Sequence, residues 1–202
     1  MNYLSEIEIK NRLDAMLADN VDEKIVAGVG LMFSAGLRIS SLLLIDYTCI
    51  SSNLVITIKQ LKGSNTLYAQ PIYYRDVWRK VYDNKLSPFT LYDRFFFYRL
   101  FKRYDLVLKN GAGRNDSVTH APRKYLANEM YSVENDIQAA KSALGHKSSS
   151  STKYYINENY RRTILNRGIG NNASGEISNI VIQKNNIIRI ARLPKRSRRA
   201  KY

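Results

Sequence analysis

The chain of 202 residues carries 32 lysines and arginines against 17 aspartates and glutamates, a formal net charge of +15. That excess suits a polyanion, nucleic acid first and an anionic membrane surface second. Hydrophobic residues at 45%, with 10 glycines and 4 prolines, exclude a disordered or fibrous chain and leave room for one sizeable domain with a tail, or two very small ones.

In chain order, Ser5 followed by Glu8 forms a capping box that predicts a helix to about Ala18. "NVDEKIVAGVGLMFSAG" starts a second helix near Asn20 or Asp22, oily nearly all round and therefore central, which Gly36 ends. "LRISSLLLIDY" begins a third. "SSNLVITIKQLKGSNTLYAQPI" changes to β-branched alternation around a "KGSN" turn with Pro71 as a stop, so a β-hairpin or small meander is expected at about 50 to 75. Amphipathic helices follow at about Tyr74 to Tyr82 and Leu91 to Tyr104; the second places aromatics in the core and Arg94, Arg99, Lys102 and Arg103 outside.

Next come a loop over 109–117, a helix "HAPRKYLANEMYS" with Pro122 tolerated in its first turn, and a helix "SVENDIQAAKSAL" stopped by Gly145. "KSSSSTK" caps a helix expected to hold Tyr154 and Tyr155. The composition divides the chain into a domain over 1–167 and a C-terminal extension over 168–202. In the extension, "GIGNNASG" is a linker, "NIVIQKNNIIRIARL" reads as a β-hairpin and "PKRSRRAKY" is a basic tail.

No apolar run approaches the roughly 20 residues of a spanning helix, and acidic residues interrupt the start "MNYLSEIEIKNRLDAM", so neither membrane contact nor a signal peptide is expected. The expected location is the cytoplasm, with association to the nucleoid or a host cell's cytoplasm. The single cysteine, Cys49, allows no internal disulfide and no cysteine-based zinc site, and reads as a small buried hydrophobe.

"SAGLRISSLLLIDY" sets one arginine, Arg38, between a glycine turn and an oily run. A cation is almost never buried without an anionic partner, here either a carboxylate of the chain or an external phosphate. The two histidines of the chain occupy marked places: His120 opens "HAPR", three residues before Arg123, and His146 closes "LGH", nine residues before Tyr155. Singly, each reads more readily as a satisfied surface or core residue; the ordered set is the signal.

That set resembles the catalytic domain of the tyrosine recombinases, the phage-integrase family. "AGLRISSLLLID" resembles the first arginine box, "QLKGSNT" the lysine-bearing hairpin, "THAPRKYLANEM" the H-x-x-R box and "ALGHKSSSSTKYYI" the L-G-H to tyrosine box. The match runs from about residue 6 to 160. It implies an α+β fold, mainly helical with a small antiparallel β-sheet, and an active site of Arg38, Lys62, His120, Arg123, His146 and Tyr155. Tyr155 is preferred to Tyr154 because the family nucleophile falls nine residues after the L-G-H histidine and three after a threonine, here Thr152. Lys62 is preferred to Lys59 because it abuts Gly63 in the turn.

The resemblance further implies a site-specific DNA recombinase that cuts and rejoins double-stranded DNA through a 3′-phosphotyrosyl intermediate, without metal, cofactor or ATP. It implies a homo-tetramer on paired DNA sites, with accessory DNA-bending proteins as compatible partners; the oily C-terminal hairpin either packs back on its own domain or, the favoured expectation, is exchanged between protomers. The residue types suit this chemistry. A tyrosine hydroxyl, with a free pKa of about 10, needs activation by position and neighbours. Two arginines grip the non-bridging phosphate oxygens in forks. Histidines donate to developing charge or accept the tyrosine proton, and a lysine delivers the leaving-group proton.

Two departures bear on this reading. Ser41 stands where the family usually has an acidic residue, so Asp46 or another carboxylate substitutes, or activity is weakened. Only 37 residues precede Arg38, whereas the family usually carries a separate helical core-binding domain there. This resembles the minimal fimbrial phase-variation invertases. Ser41 also supports the alternative of a catalytically weak or inactive DNA-binding relic or regulator, while type IB topoisomerase chemistry would need a DNA clamp that this length can hardly build.

Overall fold

The helix Glu23–Ala35 (α2) has no face polar enough to meet water, and the rest of the domain is arranged to cover it. In the computed structural model, which describes residues 4–59, 66–107, 118–134 and 136–156, every residue from Ile25 to Ala35 is buried. Helix α1 (Glu6–Ala18) opens on the expected capping box at Ser5 and Glu8, and lays Ile9, Leu13 and Met16 into the core at helical spacing. After α2 come the short α3 (Ile39–Leu42), strands β1 (Ile56–Lys59) and β2 (Thr66–Ala69), and helices α4 (Arg75–Asp83) and α5 (Arg94–Arg103). Then follow α6 (Ala121–Glu134), α7 (Ile137–Leu144) and α8 (Ser149–Lys153). Helix α6 packs on both α2 and α7, and α7 on α8.

Among the described residues the sheet is one antiparallel pair of strands, in register from Ile56–Ala69 to Lys59–Thr66. Ile56, Ile58 and Leu67 face the core in the period-2 pattern read from the sequence. Of the expected sheet over 50 to 75, the described residues show these strands plus an isolated bridge between Ile50 and Ile56. Fold class is therefore α+β, mainly helical with a small antiparallel sheet.

Several boundaries differ from expectation for identifiable reasons. Helix α5 starts at Arg94 and not Leu91, because the Asp93 carboxylate accepts the Phe96 N–H at 2.7 Å and caps it there. Its aromatics divide: Phe97 and Phe101 are buried, whereas Phe95 is 61% exposed and Tyr98 lies beneath Lys102 Nζ, 4.7 Å from its ring centroid. Helix α7 waits for the Asp136 cap. Cys49 is half-buried, with Sγ 3.7 Å from the Leu44 carbonyl.

The largest difference concerns α8, which consists of the serine-rich segment itself and ends at Lys153, so that Tyr154 is its C-cap and Tyr155 lies beyond it. The 109–117 loop, the domain boundary near 168, the C-terminal hairpin and the basic tail lie outside the described residues.

Gly36 joins α2 to the segment carrying Arg38. Its φ of 58° is left-handed, and a Cβ there would lie 2.8 Å from Leu126 Cδ2 and 2.9 Å from Leu144 Cδ2. Glycine is needed for both handedness and contact with α6 and α7. Gly36→Ala should lower unfolding free energy by about 2–4 kcal/mol, from αL strain plus overpacking. The check is a shift of the urea midpoint with unchanged slope; an unchanged midpoint would show that neither constraint operates.

Candidate active site

Arg123 is the centre of the site. It lies on the first turn of α6 with 1% of its surface exposed, and its guanidinium reaches the ends of two other helices. Nη1 donates to the Gly36 carbonyl at 2.8 Å, and Nη2 donates to the Leu144 carbonyl at 3.0 Å. Both carbonyls sit beside left-handed glycines, Gly36 at the end of α2 and Gly145 (φ 64°) at the end of α7, where helix carbonyls lose their own partners. Nη2 also lies 2.7 Å from His146 Nε2, while Nε is buried without a partner. Among the described residues Arg123 makes no ion pair. Burial first, and Arg38 second, push its pKa down to about 10, so it remains a cation at neutral pH.

Because a guanidinium only donates, His146 Nε2 must be the acceptor in that contact. The ring proton then sits on Nδ1, which faces Thr152 Oγ1 at 3.0 Å. Arg123 thereby sets the tautomer of His146, and the hydroxyl of Thr152, fully buried on α8, accepts the Nδ1 proton. Burial, then Arg123 and Arg38, press the His146 pKa down to about 4, so the ring is neutral at pH 7.

Tyr155 completes the cluster. Its hydroxyl is 2.7 Å from His120 Nδ1, with the two rings stacked at 5.8 Å. The His146 ring lies 5.2 Å away, and the Arg123 Cζ sits 5.8 Å from the tyrosine ring centroid. Tyr155 is 9% exposed, whereas Tyr154 is 68% exposed and turns to Lys124, whose Nζ is 5.0 Å from its ring. Thus His120, Arg123, His146 and Tyr155 come together from α6, its leading turn, and the segments after α7 and α8.

Arg38 is half-buried at the N-cap of α3. It is close enough to depress the pKa of both Arg123 and His146, and it makes no ion pair among the described residues. Asp46 does not serve it: its carboxylate accepts from Thr48 N at 2.8 Å and Thr48 Oγ1 at 2.5 Å. That pairing, Thr48 Oγ1 foremost, holds the Asp46 pKa below the ordinary range. Ser41 is buried. Lys62 lies outside the described residues, and Lys59, the alternative, is exposed at the end of β1.

Sequence reasoning missed three participants: the Gly36 and Leu144 carbonyls, which no residue pattern reveals, and Asn128. The last is 1% exposed and donates from Nδ2 to the Tyr155 carbonyl at 2.8 Å. Its only signal was an asparagine within the H-x-x-R helix, one turn after Lys124 and beside the apolar Leu126 and Ala127. Among the described residues no cluster of three or more His, Cys, Asp or Glu side chains is arranged for a metal ion, and no helix is long and apolar enough to cross a membrane.

A mainly helical domain with a small antiparallel sheet, in which an arginine, two histidines and a tyrosine meet beside a second arginine, defines a class, and the comparisons name it. The model of the "Phage integrase family" matches residues 2–162: the chain belongs to that family, the tyrosine recombinases, whose members carry out site-specific recombination. A search of curated proteins finds no match.

Among solved structures, the catalytic domain of bacteriophage HP1 integrase is similar at 20% identity and a TM-score of 0.57, over 89% of this chain and 98% of that one. XerA recombinase is similar at 18% identity and a TM-score of 0.59, over 83% of this chain and 64% of that one. The XerH recombinase bound to its palindromic difH substrate is similar at 16% identity and a TM-score of 0.58, over 84% of this chain and 53% of that one. This chain therefore spans about half of the XerH chain and under two thirds of the XerA chain, and the likeness establishes the catalytic-domain fold.

The depressed pKa of His146 makes stability depend on pH. Between about 6.5, its ordinary value, and about 4, the unfolded chain takes up a proton that the native state refuses, so acid favours unfolding in that window. The thermal midpoint of the DNA-free protein should fall through this range, and less steeply in His146→Gln; parallel slopes in the two proteins would contradict the burial of a neutral imidazole.

Proposed function

We propose that the chain is a DNA strand transferase in which Tyr155 attacks a scissile phosphodiester held by Arg38 and Arg123. The observation that carries this reading is a buried guanidinium with no carboxylate partner, next to a second arginine and 5.8 Å from the ring of a tyrosine. Carbonyl dipoles and a neutral histidine offset only part of the cost of burying that cation. A phosphate diester brings the missing negative charge, and the net +15 of the chain suits a duplex.

In this mechanism Tyr155 Oη forms the bond to phosphorus as the bond to the 5′ oxygen breaks. The products are a 3′-phosphotyrosyl enzyme and a free 5′ hydroxyl. The tyrosyl proton passes to His120 Nδ1, already at hydrogen-bond distance. Arg38 and Arg123 neutralise the non-bridging oxygens, and Lys62 is assigned the proton for the departing oxygen. With its Nε2 occupied by Arg123 and a pKa of about 4, His146 is a poor base; its role is to orient Arg123. The covalent bond preserves the energy of the phosphodiester, so attack by a 5′ hydroxyl rejoins the strand without ATP or metal. Two duplexes brought together in a homo-tetramer would exchange strands this way.

A second reading, a DNA-binding protein that no longer turns over, rests on one observation: neither Ser41 nor Asp46 gives Arg38 a carboxylate. One experiment separates the two. A binding site is selected from a randomised duplex pool with the Tyr155→Phe protein, then supplied with nicks at successive positions to trap the intermediate. The wild type should become covalently attached to this DNA in excess chelator. Tyr155→Phe should lose attachment by more than about a thousandfold, the scale for removing a nucleophile, with DNA affinity nearly intact, and Tyr154→Phe should keep substantial activity. Binding without attachment in the wild type would establish the second reading, and dependence on magnesium would discard the mechanism.

A further inference from the structure

Tyr155 lies beyond the end of α8, so its carbonyl has no place in a helical ladder, and a residue after a helix end is free to swing unless something holds it. Its amide is bonded back to the Thr152 carbonyl at 2.9 Å. Its carbonyl is held by a different element altogether: the Asn128 side chain of α6, through Nδ2 at 2.8 Å. The same Nδ2 donates to the Lys124 carbonyl at 2.6 Å. Both partners are carbonyl oxygens, which only accept, so the atom facing them is the amide nitrogen. The amide is thus locked to its own helix by one hydrogen and to the tyrosine backbone by the other. It is 1% exposed, so water cannot substitute.

Building on the reading of Tyr155 as the nucleophile, we infer that Asn128 is a positioning residue, which sets where the tyrosyl oxygen stands relative to the phosphate held by Arg123. The placement follows from the helix. Asn128 is five residues after Arg123 on α6, and His120 closes the 3-10 turn that leads into it. The phosphate-gripping arginine, the base and the tether are therefore carried on one rigid segment, and Asn128 is the hydrogen-bonded link by which that segment fixes the backbone of the nucleophile. Displacements near 1 Å at a reacting atom reduce rates by about a hundredfold, so a tether to the peptide next to the attacking side chain acts on rate far more than on affinity. These two bonds of Asn128 are both to backbone carbonyls, those of Lys124 and Tyr155.

The test uses the full chain and the nicked duplexes described above. Asn128→Asp and Asn128→Leu are near-isosteric and cannot donate to the Tyr155 carbonyl; Asn128→Ala removes the side chain. The expected result is a single-turnover rate of covalent attachment at saturating DNA at least about tenfold lower, with the dissociation constant for DNA within about twofold of wild type. A residue serving the fold alone would lower affinity, thermal midpoint and rate together. That pattern, a rate unchanged within twofold, or failure of both near-isosteric variants to fold would overturn the inference. Failure of the parent reading looks different: covalent attachment would then persist in Tyr155→Phe or never form in the wild type, irrespective of residue 128.

Discussion

The structure depends on the burial of one cation, the guanidinium of Arg123, against the ends of two helices. Each charge-assisted hydrogen bond to a carbonyl contributes about 1.5–3 kcal/mol, while removing the cation from water costs several. The balance requires carbonyls brought inward at fixed places. Left-handed turns at Gly36 and Gly145 supply them, ending α2 and α7 so that the Gly36 and Leu144 oxygens face α6. Three segments far apart in sequence are thereby joined at one atom group, and the residues adjoining those joints are the ones with chemistry: Arg38 just past Gly36, His146 just past Gly145.

The electrostatics run in one direction. Arg38, Arg123 and the site's burial all disfavour positive charge, which explains the low pKa of His146 and the depressed pKa of Arg123. Without an anion the cluster is held in an unfavourable arrangement by the fold around it. The phosphate of the proposed mechanism would make the same groups mutually compatible. Neutral His146, its tautomer set by the Arg123 donor and its Nδ1 facing Thr152, contacts Arg123 without adding a third cation. In the proposed mechanism, affinity for the scissile group and activation of the tyrosine therefore have one origin.

Much of this was legible in the chain itself. The capping box at Ser5, the all-apolar α2, the glycine stops at 36 and 145 and the alternation in the hairpin are local signals, and the structure follows each of them. The ordered histidines, arginines and tyrosine marked the cluster because their residue types carry the chemistry. What local pattern could not supply were contacts made by backbone or settled by packing. No motif shows that the Gly36 and Leu144 carbonyls would solvate Arg123. Asp46 looked available to Arg38 until Thr48 claimed it. The end of α8 at Lys153 leaves the Tyr155 carbonyl to Asn128, a contact between residues 27 positions apart that no local pattern announces.

The most direct measurement of the central claim is the identity of the residue bonded to DNA. After trapping on nicked duplex, nuclease trimming and protease digestion, mass spectrometry locates the nucleotide-bearing peptide among the 15 tyrosines of the chain. The account predicts a 3′-nucleotide phosphodiester on Tyr155 alone; attachment at Tyr154, at another tyrosine or through a 5′ phosphate would contradict it.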